Sequence, residues 1–244
     1  MFELSLLGII TGFISGFFGV GGGMILVPML LYANYTMKES ISISIMQMVF
    51  SSIFGSFLNS KQNKEILKDG LILGIGGFAG GLCSGIIVSN VSGQILQYLF
   101  IAIVIFAIYK VSTTSTIQSK EQISSSPIKL ITIGFFIGIL AMSIGVGGSV
   151  MLTPILAGYL HYNLKYASSL GLFFVIFSSI AGFISLSLSG HMLFYEGLIV
   201  GFASLIGVYL GIFIKNKTHI TSYKKYILVL YIITLISILF KVFL

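Results

Sequence analysis

The chain has 244 residues, of which 57% are hydrophobic and 8% charged, and its mean hydropathy is +1.10. A soluble core cannot absorb that much apolar surface, and the apolar runs are about as long as a bilayer core of roughly 30 Å is thick. They are continuous and too long for barrel strands, so the sequence predicts an all-α, polytopic integral membrane protein.

The net charge of +7 comes entirely from lysine on the basic side, 13 residues in all. These sit between the apolar runs, where they signal membrane orientation and not nucleic-acid binding.

In chain order, the N-terminal "MFELSLLGII" lacks the positive region of a signal peptide and is expected to be retained. A short apolar segment covers 4–18, a glycine knot follows, and a second short segment covers 24–33. Full spans are expected near 40–58, 70–88 and 93–110. The single Cys83 falls in one of these runs and reads as a small packing residue. A polar linker, "KVSTTSTIQSKEQISSSPIK", covers 110–129. Beyond it the pattern repeats over 130–144, 150–160, 167–186, 197–214 and 226–243.

The repetition extends to single residues. Shifting the chain by 126 positions places Gly19, Val20, Gly21, Gly22, Leu26 and Pro28 on Gly145, Val146, Gly147, Gly148, Leu152 and Pro154. A register of 127 then places Lys38, Phe50, Ser51, Ser52, Gly55 and Gly74 on Lys165, Phe177, Ser178, Ser179, Gly182 and Gly201. The chain is therefore an internal duplication, with a first transmembrane repeat at 1–110, a linker at 111–129 and a second repeat at 130–244 within one membrane domain.

Segment 24–33 covers about 15 Å, half the hydrocarbon thickness. If each knot interrupts one long crossing, the lysines sort seven against six and give no orientation. If each knot is the tip of a hairpin, only Lys38 and Lys241 lie opposite the other eleven, a positive-inside pattern. Corresponding loops also carry opposite lysine content, three in 59–69 against none in 186–196. The expected arrangement is two inverted-topology repeats with eight to ten helical segments, both termini outside and the linker inside.

Non-helical backbone at membrane depth needs protein or a water-filled cavity around it. Glycine permits the turn and leaves the amides accessible. The segments starting at Gly23 and Ser149 then aim free N–H groups and positive dipole ends at the knots, a combination suited to an anion. Pro28 and Pro154 are expected to kink the outgoing arms. The competing role for the glycines is close helix packing alone. "GVGGGM" lacks the lysine, hydroxyl and preceding strand of a phosphate-binding loop.

"GFISGFFGVGGGMILVPMLL" and "GILAMSIGVGGSVMLTPILA" resemble the paired signature of the TauE/SafE sulfite exporter family, and the resemblance covers essentially the whole chain. It implies export or permeation of small sulfur oxyanions or organosulfur compounds, such as sulfite or sulfonates, across a prokaryotic inner membrane. The second copy departs from the first at Ser149 in place of Gly23, and at Ser143 and Ala141 in place of Phe17 and Ser15. The expected substrate site is accordingly Gly19, Gly21, Gly22, Gly23, Gly145, Gly147, Gly148, Ser149 and Ser143. Gln47, Ser51, Ser52, Ser178 and Ser179 are added because they are polar and lie deep in full spans. The competing role for the serines is a bond to their own helix carbonyls.

His161, His191 and His219 fall in expected loops without companions at ligand spacing, so no metal is expected, and no cofactor. No catalytic triad or HExxH motif is visible, which argues against an enzyme. None of the six acidic residues falls in the middle of a span, so the expected carrier works by alternating access on the anion's own gradient, worth about 2.3 kcal/mol per 100 mV. The expected partners are a small anionic substrate and the lipid bilayer, and the composition is compatible with a homo-oligomer. Alternative readings are a passive anion channel, an uptake permease for sulfur compounds, or a non-transporting membrane partner subunit.

Overall fold

The structure is a computed structural model and describes residues 1–60, 66–113, 126–159, 162, 164–218 and 220–243. All ten expected segments occur as helices, one of them divided in two, so the described residues form eleven helices. They are α1 (Phe2–Phe18), α2 (Gly23–Tyr32), α3 (Met37–Ser60), α4 (Ile66–Gly81), α5 (Ser84–Asn90), α6 (Gly93–Thr113), α7 (Pro127–Ile144), α8 (Ser149–Tyr159), α9 (Leu164–Leu188), α10 (Phe194–Lys217) and α11 (Ile220–Phe243). Among the described residues, seven stretches are long and apolar enough to cross a membrane, whereas α1, α2 and α8 are shorter apolar helices. Most of the 110–129 linker, together with Lys61, Lys64, His161 and His219, lies outside the described residues.

One expected span, 70–88, is divided between α4 and α5, whereas its counterpart α10 is unbroken. Ser185 of α9 bridges the break, donating to the Leu82 carbonyl at 2.6 Å and accepting from the Gly85 N–H at 2.9 Å. One hydroxyl thus satisfies two of the backbone groups that the interruption frees. The corresponding position on α3 is Leu58, which has no such group to offer.

The two halves interleave. α1 packs along α10 and α7 along α4, in both cases through glycine faces. A Cβ on Gly8 would sit 2.6 Å from the Val200 carbonyl oxygen, and Gly12 and Gly16 press in the same way on Ser204 and Val208. On the other pair, Gly76 and Gly80 meet Ile131 and Phe135, and Gly138 meets Gly77. Small residues let these backbones approach closely, which is how helices associate where no water is expelled.

Direction follows from the same contacts. Residues 8, 12 and 16 climb beside 200, 204 and 208, so α1 runs parallel to α10; likewise α7 runs parallel to α4. By contrast α3 and α9 run antiparallel, with Gly55 against Leu172 and Ile45 against Gly182.

Side-chain contacts sort the helix ends into two groups. At the first end, the Tyr32 hydroxyl donates to the Ser237 carbonyl, Lys38 to the Ser89 carbonyl, and the Leu193 N–H to Ser42. At the second end, Lys224 donates to the Ser112 carbonyl, Tyr162 to Asp69, and the Lys110 ammonium lies over the Tyr159 ring. The α1–α2 hairpin enters from and returns to the first end, and the α7–α8 hairpin does the same at the second.

Candidate substrate site at the glycine knots

Each inbound arm ends on a left-handed glycine, Gly19 at φ 67° and Gly145 at φ 68°. The Gly19 N–H bonds the Ser15 carbonyl at 2.8 Å, and the Val146 N–H bonds the Ala141 carbonyl at 3.1 Å. Gly21 and Gly147 follow, both at φ 78°, a conformation that costs an L-residue about 1–2 kcal/mol.

These two glycines are where the knots touch. A Cβ on Gly21 would lie 3.5 Å from the Cα of Gly147, and the Met48 sulfur packs against both. Next to them, Gly23 abuts the Gly145 carbonyl, whose oxygen also accepts from Ser44 at 2.6 Å. The level of contact is set by Ser44, Gln47 and Met48 on α3 and by Phe174 and Val175 on α9, halfway along each helix. Residues 15–24 and 141–150 are all buried, so both knots are enclosed by protein.

The polar side chains expected around the knots divide into two groups. Ser143 donates to the Ile139 carbonyl at 2.7 Å, within its own helix. Ser51, Ser52, Ser178 and Ser179 likewise turn back on their own helices, to carbonyls of Met48, Val49, Phe174 and Ile176. Gln47 and Ser149, in contrast, are fully buried and their side-chain polar atoms have no partner.

Gln47 faces the start of α2. A Cβ on Gly22 would meet its Oε1 at 2.7 Å and its Nε2 at 2.8 Å. Gly22 is the N-cap of α2 and has no side-chain cap, so the first N–H groups of that helix lack an intrahelical acceptor. A buried amide with neither end bonded costs roughly 1–3 kcal/mol, which makes this a strong place for a polar guest. Ser149 opens α8, and with the equally unpartnered Thr153 one turn on it faces Gly171 of α9. Pro28 and Pro154 lie inside α2 and α8, one turn beyond these starts.

By sequence Lys215 falls among the orientation lysines between the apolar runs. It is instead the last inward residue of α10 and only 3% exposed. Its ammonium donates to Ser168 at 3.1 Å and to Ser169 at 3.0 Å, and Ser168 in turn donates to the Phe18 carbonyl at 2.8 Å, at the first knot's edge. A signal was present. Gly197, Gly201, Ser204, Val208 and Gly211 form a buried stripe at helical spacing, and Lys215 continues it. Among the described residues no group of three His, Cys, Asp or Glu side chains is placed to hold a metal.

The sequence model of the sulfite exporter TauE/SafE family matches residues 4–238. A probable membrane transporter protein of Methanocaldococcus jannaschii is 39% identical over 69 residues, 28% of this chain and 26% of that protein. Over most of the length the similarity is lower. The probable membrane transporter protein YunE of Bacillus subtilis is 24% identical over 240 residues, 88% of each chain, and one from Haemophilus influenzae is 23% identical over 76% of this chain and 73% of its own. No solved structure matches. With the family model spanning both glycine knots and every helix between them, the chain belongs to the TauE/SafE sulfite exporter family of multi-pass membrane transporters.

Proposed function

We propose that this protein exports small sulfur-containing anions, sulfite or organosulfonates, across a prokaryotic inner membrane by alternating access. In this reading the anion is held where the two knots meet. The family assignment supports the substrate class, and the observation that carries the location is Gln47. It is a fully buried amide with both polar atoms unpartnered, set against the uncapped start of α2. Its NH2 group can donate to an oxyanion together with the N–H groups of that helix start, where the dipole favours negative charge. The start of α8, with Ser149, presents a second set of donors to the same region.

The direction of the helices supports the inverted repeat. Counterpart helices α3 and α9 are antiparallel, and the two hairpins enter from opposite ends of the bundle. Such an arrangement brings two broken segments to the midplane, where secondary transporters place substrate. With the second end cytoplasmic, it puts most lysines inside. The enclosure of both knots fits an occluded carrier better than an open pore.

The test is flux of labelled sulfite into proteoliposomes under an imposed potential. Gln47→Leu removes a donor and an unsatisfied buried group together, so uptake should fall at least tenfold while the melting temperature holds or rises, by up to about 1 kcal/mol in stability. Undiminished flux in Gln47→Leu would move the site elsewhere, and no flux of any sulfur anion in the wild type would sink the substrate class. Cysteine labelling tests the topology: positions 34 and 159 must react from opposite faces.

A further inference from the structure

We propose that the cleft between α1, α10 and α11, at the second end of the bundle, seats one anionic phospholipid, with the headgroup phosphate on Lys217 and an acyl chain along the tip of α1. Such a site stands apart from the knots, whichever anion they hold.

The cleft follows from the short first arm. The last glycine of α10 to press on α1 is Gly211, against Phe13 and Phe17. α1 ends at Phe18, whereas α10 runs on to Lys217, about 9 Å beyond Gly211. What remains is a cleft of about 600 Å³ at the tip of α1, walled by Phe17 and Phe18 and by Val229 and Ile233 of α11, with Lys217 at the second end. Ile233 lies about 20 Å into α11 from its start at Ile220, and one leaflet with its headgroups is roughly 20 Å thick. The cleft thus has the length of one leaflet, basic at the end of the helices and apolar toward the middle, as an anionic phospholipid requires.

Val229 and Ile233 are exposed in the bundle, so in a bilayer an acyl chain is what covers them. The headgroup end selects by charge. None of the described lining residues is acidic, and residues 215–225 hold four lysines and no Asp or Glu. The Lys217 ammonium stands 4.2 Å over the Phe213 ring of its own helix. A phosphate oxygen is a stronger acceptor than a ring face, and basic clefts of this kind between helices take anionic headgroups. Snorkelling alone would carry the ammonium to the headgroup layer without choosing a lipid. The apolar seat beside it supplies the choice.

The duplication does not demand these features. By the register of 127, Asn90 and Val91 occupy the positions of Lys217 and Thr218 in the first repeat, and the Asn90 amide donates to the Ile86 carbonyl of its own helix at 2.8 Å. By the shift of 126, Ser143 and Ile144 stand for Phe17 and Phe18. Cation and aromatic wall therefore occur together at the tip of α1 and not at that of α7. Phe17 and Phe18 immediately precede Gly19, so a seated chain would brace the arm that carries the first knot.

The test titrates the full-length protein, in a neutral detergent, with phosphatidylglycerol or phosphatidylcholine, counting bound lipid by native mass spectrometry and following thermal unfolding. The wild type should bind one phosphatidylglycerol about fivefold more tightly than phosphatidylcholine, and melt higher with it. Lys217→Gln should bring the two lipids to within about twofold. Val229→Trp fills the cleft from an exposed position and should weaken both lipids about fivefold. Lys225→Gln removes an exposed lysine at the same end but outside the cleft lining, and should keep the wild-type preference. A wild type indifferent to headgroup charge would overturn the site. So would a preference that survives in Lys217→Gln, or one lost equally in Lys225→Gln, since either would reduce the effect to general surface charge. Unchanged binding in Val229→Trp would place the lipid elsewhere and overturn it as well.

Discussion

The two knots share left-handed glycines at two matching positions, Gly19 with Gly145 and Gly21 with Gly147, and differ at the third and in what leans on them. Gly22 faces Gln47, whereas the counterpart Gly148 faces Phe174, whose ring a Cβ there would overlap. Gly22 stands at φ 80°, whereas Gly148 is not among the glycines with positive φ. A second pair is exchanged rather than lost. Gly23 of α2 abuts Ser44 of α3, and Ser149 of α8 abuts Gly171 of α9, so the hydroxyl sits on the long helix in one half and on the hairpin arm in the other. The left-handed turn at the first two glycines and the close approach recur at both knots, and both depend on absent side chains. The neighbouring side chains, which any turn of this shape tolerates, have become polar at one knot and apolar at the other.

The sharpest way to break the comparison is at the two glycines that touch. Both have φ 78°, so alanine at either pays the same backbone strain, about 1–2 kcal/mol. Their surroundings differ. At Gly147 the added Cβ would lie 2.8 Å from the Val20 carbonyl oxygen and 2.9 Å from the Met48 sulfur, whereas at Gly21 the nearest atom is that flexible sulfur at 3.2 Å. Gly147→Ala should therefore cost about 3–4 kcal/mol, and Gly21→Ala about 1–2 kcal/mol. Thermal unfolding in detergent would show this, and equal losses would mean that the knots do not touch as described.

The exchanged serine gives the next largest effect. Gly23→Ser puts a side chain into the Gly145 carbonyl and the Ser44 hydroxyl, and should destabilise by about 2 kcal/mol. Adding Ser44→Gly recreates the Ser149–Gly171 arrangement and should recover about half of that loss. The recovery stays partial because Ser44 also holds the Gly145 carbonyl, a bond worth about 1 kcal/mol. A double variant no better than Gly23→Ser alone would mean that the two halves are not interchangeable at this contact.

Much of this was legible in the sequence because it depends on what glycine and lysine do locally. The glycine-to-proline block marked both helix breaks, and the lysine count is what favours opposed entry of the two hairpins, since a hairpin tip changes the parity of crossings. The contrast of Gln47 and Phe174 also follows from the register of 127, once the knots are known to face those positions. The parts that were not legible depend on partners distant in the chain. The α4–α5 break near Leu82 is sustained by Ser185, about a hundred residues away, and no local signal separates it from the unbroken α10. Lys215 reads as one of several lysines at a helix end, and only the stripe of small residues before it shows that it turns inward.

The smallest expected effect concerns the serines in the full spans, which the sequence offered as donors in pairs, Ser51 and Ser52 against Ser178 and Ser179. They are polar side chains that recur deep in the full spans of both halves. Yet Ser52 donates to Val49 and Ser179 to Ile176, each at about three residues' distance in its own helix and at the same depth in its half. A hydroxyl that turns back on its helix satisfies itself and offers nothing outward except lone pairs, which an anion does not seek. Ser52→Ala and Ser179→Ala should therefore each change stability by less than about 0.5 kcal/mol and leave the half-saturating concentration for sulfite within twofold. The two results should match, in contrast to the unlike behaviour of Gln47 and Phe174 one turn away. A loss of flux in one serine variant and not in the other would carry the asymmetry of the knots a turn further into α3 or α9, and would enlarge the site to include that hydroxyl.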